Sequence, residues 1–348
     1  MTLDATNPST GVTARSGLPR WVVRVLPGLA PATVIGLVAY AIGRAVPEVG
    51  GPVVAVVGGI AVTTVIGHRP SWAPGIRAGT HQLLKLAIVL LGFGISLGTV
   101  WTTVRSSGLV MLGTLAAGLG AALVVGRLLH VRGDRQTLVG VGTAICGASA
   151  IAATAGVIDP EDDDVAYAIT VIFVFNVAAV LTFPLLARAV HMGGGTFGLW
   201  AGTAVNDMSS VVAATSVFGH GSIHTGVVVK LARTLMILPV TAALALHRRR
   251  KAPAGDTSGH GRSLLRSIPL FLAFFLVASL LRTMGVVGAG LASGAGQASL
   301  VVITVALAAV GLSARPDHIR AAGIRPLVFG AALWVVLAGT SLGLQAIH

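Results

Sequence analysis

Three sets of residues in this chain carry the means to do chemistry. The first is WAGTAVNDMSSVVAA (200–214), where Asp207 stands between Asn206, Ser209 and Ser210 inside an apolar run. A carboxylate in an apolar surrounding is costly and is a functional feature by default. It can carry a coupling proton or act as a counter-ion; the plainer reading is a structural salt bridge to Lys230 or Arg233. Those two cations form the second set. They lie three residues apart in KLARTLMILPV (230–240) and so share one helical face. Arg offers a planar donor fork and Lys a point charge, which together would attract an oxyanion. The third set is two glycine-interrupted stretches, GVGTAICG (140–147) and SGAGQAS (293–299). Glycine lets a helix unwind, and the N-terminus of a half-helix offers free N–H groups to an anion. The candidate substrate-binding residues are therefore Gly142, Thr143, Ala144, Cys146, Gly147, Ser149, Asn206, Ser209, Lys230, Arg233, Gly294, Gly296 and Gln297, with Asp207 as the coupling group. Asn176 reads as an interhelical hydrogen-bonding residue, and Lys85 as a snorkelling one.

The elements that would position these groups are apolar helices. Of 348 residues, 54% are hydrophobic and 10% charged, with mean hydropathy +0.89. A water-facing globule needs about 25% charged residues, so a soluble fold is excluded. The single cysteine excludes an internal disulfide. Apolar runs of bilayer-spanning length fall at about 29–46, 51–67, 82–104, 107–129, 136–157, 165–187, 197–218, 223–246, 266–284, 293–312 and 326–346. That gives an all-α integral membrane protein of about eleven helices, with a polar tail over 1–25 and one membrane domain over 26–348. The first run is too long, and too far from the start, for a cleaved leader.

If all eleven runs cross, one side holds 18 of the 24 Lys and Arg residues, including Arg132, Arg135, Arg188 and Arg248. The other side holds Arg44, Arg105 and Arg282, together with the acidic run Asp159–Asp164. The positive-inside rule then makes the N-terminus cytoplasmic. It also accounts for the net charge of +13 without a nucleic-acid partner.

THQLLKLAIVL (80–90) and TGVVVKLARTL (225–235) align at an offset of 145, pairing Lys85 with Lys230. Extended along the chain, this offset gives two five-helix units, about 51–190 and 197–348, of opposite orientation. Inverted repeats with paired broken helices are the signature of many secondary transporters. The expectation is that 142–147 and 293–299 are both unwound and meet at mid-membrane as crossing helices. A second likeness, GTAICGASAIAA (142–153) to GTAVNDMSSVVA (202–213) at an offset of 60, does not fit that frame and reads as shared use of small packing residues.

The segments GTAICGASAIAA, FVFNVAAVLTFP, WAGTAVNDMSSVVAA and KLARTLMILPV resemble those of the YeiH family (UPF0324) of bacterial membrane proteins, known by its name as a sulfate-exporter family. The resemblance runs from about residue 25 to the end. It implies kinship with the cation–proton antiporter and anion transporter superfamily, a scaffold with a mobile core, and sulfate, sulfite or a sulfonate-related anion as substrate. It also implies His before the acidic residue. Here that position is Asn206, which cannot titrate.

The expected function is secondary transport of a small oxyanion by an elevator-like, alternating-access mechanism. An intramembrane enzyme would need a nucleophile–base pair, paired carboxylates or metal ligands, and the sequence offers one in-span carboxylate and no HExxH. A channel would ring a pore with like charges. No Walker A sequence is present. The expected setting is the bacterial inner membrane. The expected partners are the bilayer, a small anion, a coupling proton or sodium ion, and a second copy of the chain in a homodimer. No cofactor is expected.

Overall fold

The computed structural model describes residues 20–45, 51–67, 69–251, 270–313 and 324–347. The tail up to residue 19, the loop cations Arg262, Arg266, Arg315 and Arg320, and His348 lie outside the described residues. All regular structure among the described residues is helical. The helices are α1 (Arg20–Ala45), α2 (Gly51–Ile66), α3 (Ala73–Ala78), α4 (Leu84–Gly92), α5 (Leu97–Leu128), α6 (Asp134–Ala144), α7 (Ala148–Ile158) and α8 (Asp162–Ala189). They continue with α9 (Gly194–Ala204), α10 (Met208–Thr215), α11 (His220–Thr234), α12 (Ile237–Lys251), α13 (Leu270–Thr283), α14 (Ala289–Leu312) and α15 (Ile324–Ile347). Six stretches are long and apolar enough to cross a bilayer: Val22–Ala45, Leu97–Leu128, Asp162–Ala189, Gly221–Arg248, Ala289–Leu312 and Ile324–Ile347.

The helices fall into two packed groups. One contains α1, α2, α3, α4, α13 and α14. Small residues bring its backbones together: a methyl group at Gly311 would stand 2.3 Å from the Val56 carbonyl oxygen. At this approach Thr63 Oγ1 donates to Leu312 O at 3.0 Å. Such contact is how apolar helices associate where lipid competes for every Leu. The second group contains α5 to α12 and α15. α5 starts on a Ser96 N-cap that accepts from Thr99 N, and α8 starts with Asp162, Asp163 and Asp164 at the positive end of its dipole.

The centre of the second group is two short helical hairpins, not two spans. α6 and α7 have 11 residues each. At 1.5 Å per residue each covers about 16 Å, roughly half of a ~30 Å hydrocarbon core. Three contacts show that the pair returns to the end it left. Arg135, at the start of α6, pairs with Asp164 at the start of α8. Arg248, near the end of α12, pairs with Asp134 and also donates to the Ile158 carbonyl at the end of α7. A methyl at Gly142 would meet the Ile151 side chain at 2.9 Å, so the arms lie side by side.

α9 and α10 make the second hairpin. Gly194, where α9 begins, is so close to the chain after α10 that a methyl there would lie 3.6 Å from Phe218 O and 3.7 Å from Ser222 Cβ. α8 runs the full length between the two roots. The first hairpin therefore enters from the Arg135 end of the bundle and the second from the Gly194 end. Every residue of 197–204 is buried except the half-buried Leu199, as are all residues of 208–215. Helices apolar and enclosed on all sides belong to an interior.

Several expectations are thereby corrected. The fifth and seventh apolar runs do not cross, so eleven crossings is too many. The acidic run Asp159–Asp164 lies at the same end as Arg135 and Arg248, and Arg188 lies at the other end. α14 is continuous through 293–299, so the tenth run is not broken and the 145-residue offset does not pair two broken helices. The likeness at an offset of 60 is the one that matches the two hairpins. Lys85 is exposed and is no counterpart of the buried Lys230. In a variant with Cys146 replaced by Ala, single cysteines at positions 132 and 160 will be labelled from the same side of the membrane by an impermeant thiol reagent. Labelling from opposite sides would restore the crossing fifth span.

Candidate functional site

The site is where the two hairpin tips meet. α6 ends at Ala144, and Ile145 (φ −118°, ψ −85°) and Gly147 (φ 66°, ψ −131°) turn the chain back. Gly147 N closes the turn onto Gly142 O at 2.8 Å. Its positive φ is a region that side-chain-bearing residues avoid. In the second tip, Val205 (φ −86°, ψ 134°) and Asp207 (φ −110°, ψ 151°) are extended between α9 and α10. A methyl at Gly147 would stand 3.5 Å from both Asn206 O and Asp207 Cβ, so the tips touch.

Each tip ends a helix in the interior and so presents carbonyl oxygens with no intrahelical partner. Lys230 and Arg233 supply the partners. Lys230 is fully buried and donates to Ile145 O at 2.8 Å and Val205 O at 2.6 Å. Arg233 Nε donates to Ala144 O at 2.6 Å, and its Nη1 donates to Thr203 O and to Thr114 Oγ1. Each cation thus holds one carbonyl from each hairpin. Both sit at the negative ends of the α6 and α9 dipoles. The helix that carries them bends just beyond: α11 stops at Thr234 and α12 starts at Ile237, two residues before Pro239.

Asp207 faces elsewhere. Its carboxylate caps α10, accepting from Ser209 N at 3.1 Å and from Ser209 Oγ. Among the described residues no ion pair joins it to Lys230 or Arg233, so the salt-bridge reading fails. Its backbone N–H donates to Asn176 Oδ1 at 3.1 Å, which gives Asn176 the interhelical role expected of it. Asp207, Ser209, Ser210 and Asn176 are the polar lining of a cavity of about 50 Å³. Its remaining walls are apolar residues of α2, α8 and α14, among them Val56, Phe173 and Leu307. The cavity lies at the boundary of the two helix groups.

The structure brings Gly142, Thr143, Ala144, Cys146, Gly147, Ser149, Asn206, Asp207, Ser209, Lys230 and Arg233 to the tips. Ala148 and Ser149, the first residues of α7, are exposed, whereas Cys146 is packed inside. Gly294, Gly296 and Gln297 are not brought there; they lie on α14, whose part next to the cavity is Leu307 and Val310. Three buried polar atoms beside the tips lack a partner among the described residues: Thr143 Oγ1, Asn206 Oδ1 and Arg233 Nη2. Sequence reasoning missed the carbonyls of Thr203, Ala144, Ile145 and Val205, because a main-chain ligand leaves no side-chain signature.

Long apolar helices and half-helices whose tips are buried around a polar centre define a multi-pass helical membrane protein. Residues 27–330 match the family model described as conserved hypothetical protein 698. The chain is 39% identical over 330 residues to a UPF0324 membrane protein of Streptococcus pyogenes, covering 93% of this chain and 97% of that one. It is 34% identical over 333 residues to one of Fusobacterium nucleatum, with 90% and 95% covered. A third, from Streptococcus mutans, is 35% identical over 328 residues, with 92% and 96% covered. The chain belongs to the UPF0324 family of membrane proteins.

The tip turn generates a stability prediction. Gly147→Ala forces a side chain into positive φ and will cost about 1–3 kcal/mol. Gly195→Ala, in a helix with open space around its Cβ position, will cost nothing or stabilise slightly. Unfolding of the two purified variants, followed by tryptophan fluorescence in detergent, checks the contrast.

Proposed function

We propose that this protein is a secondary transporter of a small oxyanion, with sulfate and sulfite the first candidates from the family resemblance. The observation that carries the reading is the pair of half-length hairpins that enter from opposite ends and meet tip to tip beside a cavity at the boundary of two helix groups. Irregular backbone at membrane depth is tolerated where it is buried in protein or lines a cavity, and paired discontinuous helices at mid-depth are a recurrent transporter design. Sliding the hairpin group against the α2–α14 wall would expose the cavity first to one side and then to the other.

In this reading the anion is held at the exposed start of α7, by N–H groups of Ala148 and Ser149 and the Ser149 hydroxyl, with the Ser209 hydroxyl facing it from the second tip. Lys230 and Arg233 act mainly through the tips they hold, and only the free Nη2 of Arg233 is left to reach an anion. Asp207 is the coupling group. Its carboxylate already occupies the Ser209 donors and repels a second anion. A coupling proton on Asp207 removes that competing charge, so proton and anion would bind together. We place the protein in the bacterial inner membrane. The end carrying Arg127, Arg132, Arg135 and Arg248 then faces the cytoplasm by the positive-inside rule.

Proteoliposome uptake of radiolabelled sulfate or sulfite tests this. Wild type is expected to show saturable uptake that rises with an inward proton gradient. Asp207→Asn is expected to keep saturable uptake while losing the dependence on that gradient. Gradient-driven uptake that survives Asp207→Asn would remove Asp207 from coupling, and no uptake of any oxyanion by wild type would remove the transport reading.

A further inference from the structure

The most unusual feature of the molecule is a lysine with 0% exposure that has two main-chain carbonyls, not a carboxylate, as its partners. The two carbonyls come from different hairpins, at 2.8 Å from Ile145 and 2.6 Å from Val205. Convergent carbonyls at the C-terminal ends of interrupted helices are the chemistry by which a protein strips and holds a small cation such as sodium. Next to them, Arg233 holds the Ala144 and Thr203 carbonyls in the same bridging fashion. Four carbonyls that could form a cation cage are therefore already met by positive charge on side chains of α11.

We propose that the Lys230 ammonium is a built-in cation, seated in a two-hairpin carbonyl cage that would otherwise take a monovalent metal ion, and that this protein consequently works without sodium. The cage argument stands on geometry alone; only the extension to the working cycle rests on the transport reading above. A tethered ammonium cannot leave. The charge balance at the tips then stays fixed while Asp207, whose Cβ would stand 3.5 Å from a methyl placed on Gly147 of the opposite turn, remains the group free to change charge. Coupling by protons and independence from sodium follow from one arrangement. The cage also explains why a lysine rather than a second arginine occupies this position: a compact ammonium directs its donors to two oxygens from a single atom, as a metal ion does.

The experiment is thermal unfolding of the full-length purified protein at constant ionic strength in sodium chloride, methylammonium chloride or choline chloride. Wild type is expected to melt at the same temperature in all three, since its cage is filled. Lys230→Ala is expected to melt at least about 5 °C lower in choline, and to regain most of that loss saturably with sodium or methylammonium, which fit the vacated space. Choline is too large to do so. Recovery by neither small cation would overturn the proposal, and so would a saturable rise of the wild-type melting temperature in sodium. Should Lys230→Ala not fold in any of the salts, the wild-type comparison still decides. Liposome uptake separates the two readings: sodium-dependent uptake sinks this inference and leaves transport standing, whereas absence of uptake leaves the melting result untouched.

Discussion

The fold turns on one constraint. Half-helices that stop in the interior of an apolar bundle leave carbonyl oxygens that no water can reach, and each unmet group costs about 1–3 kcal/mol. In a water-soluble protein such ends sit at the surface. Here two hairpins bring their ends together, so the deficit is concentrated at one point and must be met there. Two cations on adjacent turns of α11 meet it, each taking one carbonyl from each hairpin. The same bonds tie the hairpins to each other, and Thr114 Oγ1 on α5 shares the Arg233 Nη1 donor with Thr203 O. Burying two positive charges without a carboxylate is costly, and the carbonyls and the negative helix ends offset that cost.

The membrane class, the helical content and the central residues were all legible in the sequence. The hairpins were not, for a definite reason. Two antiparallel helices of 11 residues joined at Gly147 have the same hydropathy as one crossing helix of similar total length, and a window average cannot tell them apart. The charges misled in the same way. A crossing 136–157 puts Asp159–Asp164 on the far side, although Arg135 pairs with Asp164 of that run and Arg248 with Asp134 at the start of α6. The signal that could have corrected both was the likeness between 142–153 and 202–213, which spans the tip of each hairpin.

The likeness at an offset of 145 does not place its two lysines alike. KLA recurs at Lys85 and Lys230, yet one lysine is exposed on α4 and the other is sealed between the tips. The residues on α6 to α11 that meet at the tips stand out in the sequence by type, whereas reading a buried cation as a ligand holder overlooks main-chain acceptors. Main-chain acceptors are invisible in a sequence, so the carbonyls that claim Lys230 and most of Arg233 could not be weighed. Gly294 and Gly296 illustrate the complementary error: they lie in an unbroken helix, and a methyl at either would meet nothing within 4 Å.

The salt link at the root of the first hairpin has a further consequence. Arg248 fastens that root by bonding both Asp134 and the Ile158 carbonyl, and Arg233 and Lys230 fasten its tip. All three cations belong to the single stretch α11–α12. One strip of backbone thus acts as a ruler laid alongside the hairpin, pinned at both marks. Adding or removing one residue between Arg233 and Arg248 would turn the far mark by about 100° and shift it by about 1.5 Å, so that tip and root could not both be fastened. The spacing of those cations is therefore as much a part of the site as their charge, and insertions tolerated in the loops of this protein would not be tolerated there.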